Sequence, residues 1–128
     1  MYLGGLAENL VPYTGADKSV DLNGQELTTG KLVNTSGRIC NTSRYTTTQI
    51  LDDTDHVVFC DTDSAAFTVS LPAGINGTTY KIINVGSSGN SLTVSPNGSE
   101  LLIGVNSNFD LLDGDSMIIT YDSIEGWW

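Results

Sequence analysis

One imidazole and a set of carboxylates gathered around a single apolar run are the residues of this chain best placed to do chemistry. His56 is the chain's only histidine and stands at the head of Val57-Val58-Phe59-Cys60. Beside a carboxylate, an imidazole can move protons near neutral pH. A single one cannot supply the usual zinc cluster, and a polar residue opening a strand accounts for His56 without chemistry. Asp52, Asp53, Asp55, Asp61 and Asp63 flank the same run, and Asp113 and Asp115 sit in a second polar stretch. Hard oxygens at alternating positions suit calcium, but an EF-hand loop needs a longer ligand series ending in Glu. Asp is equally the residue that bonds local backbone amides in turns. Turn formation is the expectation, and no catalytic, cofactor or metal site is assigned. No GxSxG, phosphate loop, HExxH or CxxC pattern occurs. Cys40 and Cys60 are compatible with a disulfide, although two reduced, buried thiols are the plainer expectation.

A third chemistry is sugar recognition, in which rings stack on sugar planes while Asp and Asn read hydroxyls. Tyr2, Tyr13, Tyr45, Tyr80, Tyr121, Trp127 and Trp128 could furnish such a face. Most of these rings are expected in cores. The terminal Trp pair is too large to leave unpacked, which predicts an ordered terminus.

The charge balance sets some partners aside. The 128 residues carry a net charge of −10 with only five basic residues, Lys18, Lys31, Arg38, Arg44 and Lys81. From residue 61 onward Lys81 stands alone against eight acidic residues. A surface that grips phosphates needs clustered Lys and Arg, so no nucleic acid and no anionic membrane is expected as a partner. No apolar run approaches the roughly 20 residues that cross a bilayer. No basic stretch leading into an apolar one marks a signal peptide.

The elements that must position these groups read as strands. Arg44–Ile50, His56–Cys60, Ala66–Leu71, Tyr80–Val85, Leu92–Val94, Phe109–Leu111 and Met117–Tyr121 are rich in β-formers. Asp-, Gly- and Asn-rich turns separate them, among them Asn76-Gly77 and Asp113-Gly114-Asp115. Phe67, Val69 and Leu71 alternate with small or polar residues before Pro72 ends the strand. Short strands with frequent turns predict an all-β fold, a compact β-sandwich or jelly-roll-like body. Residues 1–35 hold too little apolar material to bury their own backbone, which predicts an extended arm packed on another chain or on the body.

Two stretches carry a resemblance. Pro12-Tyr13-Thr14-Gly15-Ala16-Asp17-Lys18-Ser19-Val20-Asp21-Leu22-Asn23-Gly24, running on to Leu27-Thr28-Thr29-Gly30, resembles a segment recurrent in tailed-bacteriophage fibre and appendage proteins. Tyr45-Thr46-Thr47-Thr48, Phe67–Pro72, Tyr80–Asn84, Leu92–Gly98 and Gly126-Trp127-Trp128 follow in an order similar to a β-structured module of tail fibres, tailspikes and capsid fibres. The stretch Glu100-Leu101-Leu102-Ile103-Gly104 departs from the G-x-I-D-G that usually follows the Pro-Asn-Gly turn. The resemblance implies a virion structural protein without enzymatic activity, working as a homotrimer. Residues 1–38 would be the attachment arm, docking on a capsid or tail protein through residues 1–35, and residues 39–128 the projecting β head. The alternative it implies is a module that binds a host-surface glycan or protein through loops such as Gly86–Asn90 and Val105–Asn108. Polysaccharide-cleaving tailspikes generally use long β-helical domains with paired acids, and 128 residues are too few for one.

Overall fold

From Thr42 onward each β-rich run of the sequence becomes a strand and each Asp-, Gly- or Asn-rich stretch a corner. The computed structural model describes residues 37–128, and the expectations that fall on residues 1–36, the extended arm and its docking, lie outside the described residues. Arg38–Trp128 forms one compact unit. The strands are β1 (Thr42–Tyr45), β2 (Gln49–Ile50), β3 (Val57–Cys60), β4 (Phe67–Ser70), β5 (Thr79–Asn84), β6 (Leu92–Ser95), β7 (Phe109–Leu111), β8 (Ser116–Asp122) and β9 (Gly126–Trp127). No helix occurs among the described residues, so the fold is all-β.

Two mixed sheets share the strands, the larger in the order β1-β3-β5-β8-β9 and the smaller β2-β4-β6-β7. The chain visits them alternately, so β1–β2, β3–β4 and β5–β6 are three successive coils. Each coil lies parallel on the one before, β1 on β3 on β5 in one sheet and β2 on β4 on β6 in the other. Parallel neighbours require a crossover connection, and here the strand of the opposite sheet is that crossover. Only the last three strands reverse: β7 onto β6, β8 onto β5 and β9 onto β8.

This corrects the jelly-roll expectation. Two layers over one core are present, as in a sandwich, but a jelly roll is antiparallel throughout, whereas four of the seven strand pairings here are parallel. Period-two alternation fixes which face is buried and leaves strand direction open. The Arg44–Ile50 run also divides, giving β1 and β2 to different sheets across the corner Thr46-Thr47-Thr48.

Register stacks like positions into columns. Ser43, Val58, Ile82 and Met117 align in the larger sheet. Val69 with Val94, and Leu92 with Leu111, align in the smaller. These columns meet between the layers in one cluster that also takes in Leu51, Cys60, Leu71, Tyr80, Leu102, Ile119 and Trp127. One corner is held by polar groups. Asn84 is fully buried, its Nδ2 donating to the Leu111 carbonyl (3.0 Å) and its Oδ1 accepting from Thr62 Oγ1 (2.9 Å) and the Gly86 amide (3.0 Å). Every group in that network has a partner, so the buried polar atoms pin the corner and do not weaken it.

Candidate functional site

The carboxylates that could have gathered a cation are instead spread over separate turns. Asp52 Oδ1 accepts from the Thr54 amide (2.8 Å) and hydroxyl (2.6 Å). Asp61 Oδ1 accepts from the Asp63 amide (3.1 Å), while its Oδ2 meets Arg44 at 2.7 Å, the one ion pair among the described residues. Asp63 takes the Ser87 amide (2.6 Å), Asp113 the Gly89 amide (2.6 Å) and Asp115 the Leu112 amide (3.0 Å). Bonds from Thr54 hold the Asp52 carboxyl below the ordinary carboxylate range; the Asp63 amide and then Arg44 do the same for Asp61. Among the described residues no group of three or more His, Cys, Asp or Glu is arranged to hold a metal ion.

Asp55 differs from the others. It is buried, and it accepts from Ser43 Oγ, from Tyr45 Oη (2.9 Å) and from the Asp52 amide (3.1 Å). Its negative charge acts on its neighbours. Burial, and then the Asp55 carboxylate, push the Cys60 thiol up to about 12. The same two causes raise Tyr45 and Tyr80. A thiol held this firmly in its neutral form is a poor nucleophile, so the cluster fills space and satisfies donors. Cys60 is buried and Cys40 half-buried, both as free thiols. His56 is half-buried at the entry to β3, and its carbonyl accepts the Lys81 amide (2.9 Å).

The aromatic residues do not form a sugar-binding platform in the described body. Tyr80 and Tyr121 pack their rings on Trp127 at centroid distances of 5.7 and 5.1 Å, and Tyr45 lies against the core. Trp128 alone among them is well exposed, at 54 %. Tyr2 and Tyr13 lie outside the described residues. Gly86–Asn90 is stapled to the body through Asn84, Asp63, Asp113 and Thr62. Val105–Asn108 is exposed, with Asn106 donating to the Glu100 carbonyl (2.7 Å). One open cavity of about 300 Å³ is lined by Asp52, Asp53, Pro72, Ala73, Ile75, Thr78 and Tyr80.

The outward faces of the two sheets are chemically unlike. On the smaller sheet the outward rows are Thr68–Thr93–Asp110 and Ile50–Ser70–Ser95, with Thr93 donating to Asp110 (2.7 Å). The larger sheet turns four rows outward: Thr42–Val57–Lys81–Ile118, Arg44–Phe59–Ile83–Ser116, Thr79–Thr120, and Asp122–Gly126. Trp128 continues the third, because its backbone exchanges both bonds with Thr120 (2.6 and 3.0 Å). Val57, Phe59, Ile83, Ile118 and Trp128 thus lie on one face with Arg44 and Lys81, and Asp122 in the last row is the one carboxylate among these rows. This face was missed in the sequence although a sign of it is there. Val57-Val58-Phe59, Ile82-Ile83 and Met117-Ile118-Ile119 are unbroken apolar runs, and an unbroken run is apolar on both faces of its strand.

No protein-family profile matches the chain, and no curated protein matches it.

Proposed function

We propose that this chain is a non-enzymatic structural protein of a virus particle, a homotrimeric fibre or capsid or tail appendage attached through residues 1–35 with its β body projecting. The observation that supports this reading is the polarity of the body. Three parallel coils begin at the edge strands β1 and β2, where the chain enters, and end under the antiparallel strands β7, β8 and β9. A stack with one entry end and one closed end is suited to stand off a larger particle. The short motifs that resemble those of phage appendages point the same way, and the acidic balance limits adhesion to nucleic acid during assembly. Light scattering on the full chain tests the oligomeric part of the reading. The expected mass is three times the 13.6 kDa of one chain, and a single-chain mass at micromolar concentration would count against it.

A second reading, a module for a host-surface glycan, draws on the cavity beside Tyr80. Its volume of about 300 Å³ sits at the small end of ligand pockets. Apolar Pro72, Ala73 and Ile75 with the carboxylates of Asp52 and Asp53 match the mixed apolar and polar character of a sugar. Binding on a glycan array that is lost in Asp53→Ala would favour it, and a blank array would remove it.

A further inference from the structure

We infer that the outward face of the five-stranded sheet is the surface on which copies of this chain meet one another. The inference rests on the homo-oligomeric reading above and adds to it the location of the contact.

Three observations lead to this face and to a second copy as its occupant. The first is its apolar content: Val57 and Phe59 on β3, Ile83 on β5, Ile118 on β8 and Trp128 after β9 share one side of one sheet. The second is its charge. In a chain of net −10 two copies repel over most of their surfaces, and like charges brought together in an interface are costly. Its outward rows carry a single carboxylate, Asp122 in the last row, and two cations: Lys81 on the middle strand, and Arg44 on the edge strand, where it is paired with Asp61. Two further acidic residues border the rows at the strand ends, Asp61 just after β3 and Asp115 just before β8. When three copies turn this face toward one axis, the Lys81 of one copy can meet the acidic margin of the next. The third is the contrast with the smaller sheet, whose outward rows are Thr, Ser and Asp110 around a single Ile50.

The size of the face says what it can contribute. Its thirteen outward positions, each about 4.8 Å by about 6.8 Å, cover roughly 420 Å². A standard interface buries about 800 Å² on each partner. The face is therefore a share of a stable contact, and its test belongs on the full chain.

Ile118 and Ile50 make a matched pair for that test, since each is 65 % exposed and they stand on the outward sides of different sheets. Full-length wild type, Ile118→Lys, Ile50→Lys and Lys81→Glu are compared by light scattering at one micromolar concentration, with circular dichroism to verify that each keeps its β spectrum. The expected result is an oligomeric mass for wild type and Ile50→Lys, and a fall to the single-chain mass for Ile118→Lys and Lys81→Glu. An oligomer that neither of the last two variants disturbs would overturn the placement and leave the oligomeric reading standing. Equal dissociation by Ile118→Lys and Ile50→Lys would overturn it as well, since the effect would then be general charge and not this face. A monomeric wild type would overturn both the placement and the reading beneath it. Should Ile118→Lys lose its β spectrum, Lys81→Glu decides by the same mass criterion.

Discussion

The two ends of the coil stack solve the same problem with opposite chemistry. At the end that closes the fold, a large apolar ring fills the core. Trp127 has no exposed surface, its Nε1 donates to Glu100 (3.0 Å), and Glu100 also accepts the Gly74 amide (2.8 Å). The chain at Leu101–Ile103 lies alongside, with the Trp127 amide donating to the Leu101 carbonyl (2.9 Å) and the Ile103 amide to the Trp127 carbonyl (2.8 Å). At the entry end the core is finished by a carboxylate, Asp55, under Ser43 and Tyr45. An apolar seal draws its strength from the area it removes from water. A charged plug is worth only as much as its hydrogen bonds return against desolvation. The entry end is thus the end whose stability responds to conditions.

Substitutions at the two ends sharpen that contrast. Trp127→Ala removes the largest core side chain and is expected to cost about 3–5 kcal/mol, read as a shift in the denaturation midpoint. Gly126→Ala attacks the same seal through the backbone. Gly126 sits at φ 87°, where an added Cβ would stand 2.6 Å from the Leu101 carbonyl oxygen. Left-handed strain and overpacking together are expected to cost roughly 2–4 kcal/mol. At the other end, Asp55→Ala leaves the donors of Ser43, Tyr45 and Asp52 without an acceptor, for about 1–3 kcal/mol. Asp55→Asn, which keeps one acceptor oxygen, should recover part of that loss. A larger loss from Asp55→Ala than from Trp127→Ala would reverse the ranking of the two ends.

pH separates the ends further. Cys60, Tyr45 and Tyr80 are all raised in the folded protein, first by burial and then through Asp55. A raised group contributes stability that is complete below its unfolded value and is lost as pH climbs through the folded one. The body should therefore weaken above about pH 9 as Cys60 approaches its folded value of about 12, with the tyrosines adding to the loss. Denaturation midpoints compared at about pH 8 and about pH 11 check this, and the difference should shrink in Asp55→Asn. In the native state Cys40 should react with a thiol reagent, whereas Cys60 should require denaturant. The smallest effect is on the acid side. Asp52, Asp61 and Asp122 are depressed by turn bonds, and Asp61 also by Arg44, so their contribution is present above the ordinary carboxylate range and is lost as pH falls below it through the depressed values. All three are solvent-facing, and the acid change should be slight in any of their Asn variants.

The strands were legible because their chemistry is local. Phe67–Leu71 and Leu92–Val94 alternate cleanly and became β4 and β6; the denser run Val57–Cys60 became β3, and Met117–Tyr121 became part of β8. Their direction was not legible, since Asn76-Gly77 suits a corner between coils as well as a hairpin. Leu101-Leu102-Ile103 read as one short apolar run. It became a tight turn in which Ile103 takes a φ of 51° and Leu102 and Val105 exchange backbone bonds (2.7 and 3.3 Å), a conformation that the preferences of isoleucine would never announce. Which amides the Asp residues would hold was not legible either. Asp52, Asp61 and Asp115 accept amides within three residues, whereas Asp63 and Asp113 reach the distant amides of Ser87 and Gly89. Trp127 and Trp128 divide by strand alternation, one inward and one outward, which no count of aromatics could foresee.

The parallel stacking of coils has a consequence for how such a chain can change over time. The middle coil pairs its strands only with the coil before and the coil after, so its energetics are those of a short row of neighbours and damage stays where it falls. The ladders fix register while the corners absorb length: Thr42 and Val57 are paired across fewer intervening residues than Val57 and Lys81, yet both pairs sit in one sheet. Descendants of this sequence can therefore lengthen or trim a corner, or gain a whole turn of chain at the entry side, without renegotiating the strands already laid down.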